Sequence, residues 1–241
     1  MGRKSRLKKE RKEAHVREKK SKSAKIIHPE DFDKPVYRFF KEKSHAEALC
    51  NGKVWLSTLQ TCRSYEDPLQ GDPGEAKHTY SVANISGGGS DASFVQMCSR
   101  LGIHVGAGSS NIRINRATSV MTIEDAFLLC TTKKYNPSKL NDTFGHFCVQ
   151  ISKPKEFFDR VSEELYKIFP LKNGAMGPVI YDKRDLTGLE KTPGPIGFVK
   201  PKDIYAEQKE FRFLWEIKEQ QIIKPFELNC PSVASLCKMI S

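Results

Sequence analysis

The sequence predicts an α+β fold with a mixed or antiparallel β-sheet core and flanking helices. Three observations lead there. Short β-prone, aromatic runs recur from Val36-Tyr37-Arg38-Phe39-Phe40 to Phe211-Arg212-Phe213-Leu214-Trp215. One long stretch, 155–169, carries apolar residues at helical spacing. Gly- and Pro-rich connectors such as Gly87-Gly88-Gly89 and 192–197 separate the runs. With 241 residues, 38% hydrophobic and 10% aromatic, the chain can bury a core without disulfides.

The first segment is electrostatically distinct. Residues 1–26 hold twelve Lys/Arg against three Glu, nine of the chain's eleven net positive charges, and almost no apolar side chains. Such a segment cannot offset its ordering entropy by burial, so residues 1–30 are expected to be a basic arm, disordered or helical. Its cations, beginning with Arg3, Lys4, Arg6, Lys8, Lys9, Arg11 and Lys12, suit a polyanion such as RNA, held by charge and not by base stacking. A merely solvated tail fits the same composition. The domain is expected to span 31–241.

Elements are then expected in order. Val36–Phe40 opens the body as a strand, followed by a helix 44–50 with Ser44 as cap and Glu47 completing a capping box. Asn51-Gly52 ends that helix, and Val54–Thr58 is a second strand. Residues 78–122 read as several short strands. Ala126–Thr131 and His146–Ile151 read as buried strands, with Cys130, Cys148 and His146 in the core. Phe157, Phe158, Val161, Leu165 and Ile168 mark the clearest helix, closed by Pro170. A short strand at 179–181 and a last one at 211–215 complete the sheet.

Several functions lack their motifs. There is no Walker loop, GxGxxG, HExxH or Gly-x-Ser-x-Gly elbow. Seven cysteines without a CxxC pair read as free thiols of a cytoplasmic protein, and no apolar run is long enough to span a membrane. Glu66, Asp67, Asp72 and Glu75 form an acidic stretch that suits either turn chemistry or a hard cation.

Three further pieces belong together: Arg38 in the first strand, Ser57-Thr58 ending the second, and Gln208-Lys209-Glu210 before the last. Their order resembles the Arg, Ser-Thr, Gln/Glu-x-Glu signature of ADP-ribosyltransferases. The layout Tyr37-Arg38-Phe39, Gly52-Lys53-Val54-Trp55-Leu56-Ser57, Asp67-Pro68-Leu69-Gln70-Gly71 and Gln208-Lys209-Glu210-Phe211-Arg212 is also similar to a family of uncharacterised bacterial proteins found in phage-defence loci. The resemblance implies a split-sheet fold and NAD as co-substrate. Glu210 would stabilise the ribose cation, Gln208 would address the acceptor, and Arg38 would hold phosphates. Ser57 and Thr58 would frame the nicotinamide, and Tyr65 would stack on it. It further implies a toxin of an anti-phage or toxin–antitoxin system, modifying RNA in preference to protein and silenced by a cognate antitoxin. Two other expectations stand beside it: a non-enzymatic RNA- or ribosome-binding factor working through the arm, and a metal-dependent nuclease using Glu66, Asp67, Asp72 and Glu75.

Overall fold

The computed structural model describes residues 25–26, 34–67, 69–218 and 221–241. The arm cations Arg3 to Lys12 lie outside the described residues.

The fold is mixed α+β with mostly antiparallel pairing. Its strands are β1 (Lys25–Ile26), β2 (Val36–Phe40), β3 (Lys53–Thr58), β4 (Lys77–Gly87), β5 (Ile112–Thr122), β6 (Phe127–Thr132) and β7 (Phe147–Ile151). Then follow β8 (Leu171–Pro178), β9 (Ile180–Tyr181), β10 (Asp185–Thr187), β11 (Val199–Lys200), β12 (Glu210–Ile217), β13 (Phe226–Asn229) and β14 (Cys237–Met239). The α-helices are α1 (Lys43–Cys50), α2 (Leu59–Ser64), α3 (Ala92–Arg100), α4 (Pro137–Phe144), α5 (Pro154–Ile168) and α6 (Lys202–Tyr205).

Among the described residues nine strands form the main sheet, in the order β1-β8-β12-β6-β2-β7-β14, with β3 also on β6 and β13 on β3. The arrangement around β6 positions everything that follows. One edge of β6 pairs along its length with β12, from Glu210↔Thr132 to Trp215↔Phe127. The other edge has two partners: β2 meets it only at Tyr37↔Thr132, and β3 only at Ser57↔Leu128 and Thr58↔Phe127. The sheet therefore splits beside Leu129, Cys130 and Thr131. A second sheet, β10-β4-β5, and the short pair β11-β9 lie outside it.

The core sits where α5 covers the sheet. Pro154 starts the helix at a position where the missing N–H costs nothing, and Phe157, Phe158, Val161 and Leu165 are buried. Burying four such side chains contributes roughly 6–12 kcal/mol before ordering entropy is subtracted. Phe211, Phe213 and Trp215 of β12 face them, with Phe158 stacked on Trp215 at 5.2 Å. The buried indole N–H donates to Ser162 Oγ at 2.7 Å, so no polar atom is orphaned there.

Several expectations need correcting. α1 starts at Lys43 with Glu42 as an uncapped N-cap; Ser44 lies inside the helix, and Glu47 pairs with Lys43 at 3.3 Å instead of closing a capping box. Gly52 does end the region as expected, at φ +79°, and a Cβ there would meet the Cys230 carbonyl oxygen at 2.7 Å. Residues 78–122 form one long two-stranded ribbon, β4 with β5, around α3, whose N-cap Asp91 accepts from Ser93 and Phe94. His146 is exposed ahead of β7, Cys130 opens onto a cavity and Ile168 is exposed. All seven cysteines are free. Among the described residues no helix is long and apolar enough to cross a membrane.

Candidate functional site

The split beside β6 opens into a cavity of about 580 Å³, a size typical of small-molecule sites. Its floor is Leu128, Cys130, Thr131 and Thr132 of β6. Aromatic rings of Tyr37, Phe39, Phe40, Trp55, Tyr65 and Phe144 supply much of the wall. Arg38, Ser57, Tyr65, Gln208 and Glu210 all line it, although they come from opposite ends of the domain.

Arg38 stands at the divergence of β2 and β3 and bridges it, its Nη1 donating to the Trp55 carbonyl at 3.1 Å. Its guanidinium also lies over Phe40, 5.2 Å from the ring centre. Burial lowers its pKa to about 10, and the group stays protonated at neutral pH. Ser57 Oγ lies 4.0 Å from Cys62 Sγ, and burial pushes that thiol up to about 11. Tyr65 is half exposed at the end of α2, and Gln208 donates from its amide to the Leu69 carbonyl at 2.7 Å.

Thr58 is placed elsewhere. It is buried and caps α2, its Oγ1 accepting from the Thr61 N–H at 3.2 Å, and it does not line the cavity. Its role is to turn the chain from β3 into α2. A helix directly abutting a strand was not legible because residues 59–64 are too short for a periodic pattern.

Glu210 sits at the first position of β12, with Arg212 and Leu214 following on the same face. Register places Thr132 opposite Glu210 and Cys130 opposite Arg212. An arginine in the middle of a buried strand needs carboxylates, and it has two. Arg212 grips Glu75 with two nitrogens, at 2.6 and 2.7 Å, and its Nε donates to Glu210. It also donates to the Gly197 carbonyl at 2.8 Å. Lys200, carried by β11, pairs with Glu210 at 2.8 Å and lies 3.8 Å from Glu75. Arg184 forms a two-pronged pair with Asp72 at 2.9 and 2.5 Å, and lies 4.0 Å from Glu75. All six residues are buried, three acids against three bases, so the network carries no net charge.

This balance sets the protonation states. Burial alone would raise the Glu210 pKa, but attraction by Arg212 and then Lys200 overrides it and holds the carboxyl far below its ordinary range. Asp72 is likewise lowered, burial being outweighed by its hydrogen bond and charge interaction with Arg184. Cys130 behaves in the opposite sense: burial and then Glu210 push its thiol well above the ordinary value. It stays protonated and is a poor nucleophile despite opening onto the cavity.

The acidic stretch resolves into turns and ion pairs. Asp67 accepts from the Leu69 N–H and the Gln70 amide, both at 2.9 Å, while Asp72 and Glu75 are committed to arginines. Glu66 stays exposed. Among the described residues no group of three His, Cys, Asp or Glu side chains is placed to hold a metal ion. The expectation of a cation site at Glu66, Asp67, Asp72 and Glu75 fails because guanidinium groups already occupy the oxygens of Asp72 and Glu75.

Sequence reasoning missed Arg212, Lys200, Arg184 and Cys130. For Arg212 a signal existed: it sits two residues after Glu210, inside the otherwise apolar run Phe211–Trp215. For Lys200 and Arg184 none existed, because only the folded chain brings them to Glu75 and Asp72.

Fold and site together define an α+β protein with an aromatic, charge-lined cavity at a split in its sheet. Comparison with family models, curated proteins and solved structures finds no match.

Proposed function

We propose that the cavity receives NAD and that the chain transfers ADP-ribose from it to a macromolecule. One observation carries the reading: Arg38, Ser57, Gln208 and Glu210, singled out by the motif resemblance, line one cavity of suitable size together with Tyr65, while Thr58 of the same motif does not. The donor set also fits the ligand. The Arg38 guanidinium has N–H groups beyond the one given to Trp55 and would take the diphosphate by charge-assisted hydrogen bonds. Trp55 and Tyr65 offer half-exposed rings for flat heterocycles. Each carboxylate oxygen of Glu210 carries two acceptor sites, so its contacts with Arg212 and Lys200 leave capacity for a ribose hydroxyl.

When bound, NAD supplies an electrophilic ribose carbon as nicotinamide departs. The chain's contribution is electrostatic. Arg212 and Lys200 fix Glu210 in one place and keep it ionised, so no reorganisation is needed as positive charge develops. Gln208, at the rim beside Leu69, would orient the acceptor. The basic arm would hold an RNA acceptor by its phosphates, which makes capture sensitive to salt. The toxin role and the antitoxin rest on the resemblance of the quoted motifs.

The test is release of labelled nicotinamide from NAD, with and without total RNA or protein extract. Glu210→Gln should reduce release by about 100-fold or more, while circular dichroism shows the fold retained. Undiminished release from Glu210→Gln overturns the assignment. One feature favours a second reading: both oxygens of Glu210 are engaged in ion pairs. Absence of release with any extract would turn the site into a binding pocket and the chain into a non-enzymatic RNA-binding factor.

A further inference from the structure

At the cavity mouth, on the β2 side, three rings form a small open platform. Tyr135, in the loop between β6 and α4, lies nearly parallel to Phe39, with ring centres 6.0 Å apart and planes inclined by 9°. Tyr37 leans against it at 5.8 Å. Tyr135 is 43% exposed, whereas Tyr37 and Phe39 are half-buried and line the cavity. A large exposed aromatic stacked on one ring and braced by a second at 45°, instead of folded into the core, presents a flat surface with little conformational freedom.

Its surroundings are basic. Lys133 and Lys134 precede Tyr135 directly, and the Lys133 N–H donates to the Lys209 carbonyl at 2.9 Å, bringing the exposed Lys209 alongside. Lys41, also exposed, follows β2 and lines the cavity. The platform is also in register with the site: Tyr37 faces Thr132, which faces Glu210, across three adjacent strands. Two interstrand spacings separate Tyr37 from Glu210, about 10 Å along the sheet.

From this juxtaposition we propose that the Tyr37–Phe39–Tyr135 platform stacks an unpaired base of single-stranded RNA. Lys134, Lys209 and Lys41 hold the flanking phosphates, so that the neighbouring nucleotide is delivered to the cavity. The proposal names the acceptor class of the transferase reading and rests on it for that last step. Aromatic faces with interleaved cations suit single strands, since every base offers a π-face, and a paired base cannot reach the ring. Unpaired bases in loops, bulges and ends are what RNA presents for recognition. The charge of residues 1–26 is complementary to the same partner.

The experiment measures binding of a labelled single-stranded RNA to the full chain without NAD, at about 0.2 M salt to suppress contacts that depend on phosphate charge alone. Tyr135→Ala should weaken binding about tenfold, and Tyr135→Phe should restore it. Lys134→Ala and Lys209→Ala should each lower the salt slope by about one. A perfect duplex of the same sequence should bind no better to the wild type than to Tyr135→Ala. Unchanged affinity in Tyr135→Ala, or tighter binding of single-stranded DNA than of RNA, overturns the proposal. Tyr135-dependent RNA binding without nicotinamide release would defeat the transferase reading and keep the platform. Release with Tyr135-independent RNA binding would do the reverse.

Discussion

The two faces of β12 do different work with alternate residues of one strand. Phe211, Phe213 and Trp215 point towards α5 and pack ring on ring. Glu210 and Arg212 point the other way, into a closed network with Glu75 and Lys200. The apolar face gains from area removed from water and tolerates changes of shape. The charged face gains little net energy, because desolvation of each ion offsets its attraction, but it fails sharply when one member is removed. One face holds the sheet together, and the other fixes charges in position at the edge of a cavity.

The contrast can be broken experimentally. The largest effect is expected from Arg212→Met, which removes the arginine that Glu75 and Glu210 share and leaves Lys200 between them. Urea denaturation should show a loss of about 3–5 kcal/mol; a loss below about 1 kcal/mol would mean that the network is not closed as described. Next is acid sensitivity. Glu210 and Asp72 have folded pKa values below their unfolded ones, so the stability they contribute is present above about pH 4 and is lost as pH falls towards the folded values. Melting temperature should therefore fall by several degrees from about pH 4.5 to 3, and Glu210→Gln should flatten that slope. A flat wild-type profile would contradict the assigned ionisation. The smallest effect belongs to the apolar face: Phe213→Leu should cost about 2 kcal/mol with no change in the pH profile. An altered profile would show that the two faces are coupled.

The same contrast explains what the sequence disclosed. The α5 stripe and strands β2 and β12 were legible because apolar periodicity is local and survives in the linear text. β8 was not, since Leu171–Pro178 contains Lys172, Asn173 and Gly174 and looks like a loop; it becomes a strand by pairing with β12. β13 and β14 are four and three residues long, with too few positions to show alternation. Arg38, Ser57, Gln208 and Glu210 were singled out through a motif order, and they line the cavity with Tyr65, whereas Thr58 of the same motif caps α2, because a helix cap and a site hydroxyl are the same residue type. The ion network was invisible for a different reason: Asp72 and Arg184 attract each other across more than a hundred positions, and no spacing rule encodes that.

The shared edge of β6 also has a consequence for synthesis. About 170 residues separate Arg38 from Glu210, and the cavity has no far wall until β12 has left the ribosome and paired with β6. At roughly 5–20 residues per second, that interval lasts on the order of 10–30 s. Arg38 and Ser57 emerge early in that interval and Tyr135 past its middle, all of them before Glu210. Any activity of the finished cavity is thus withheld from the nascent chain by the order in which its strands are made.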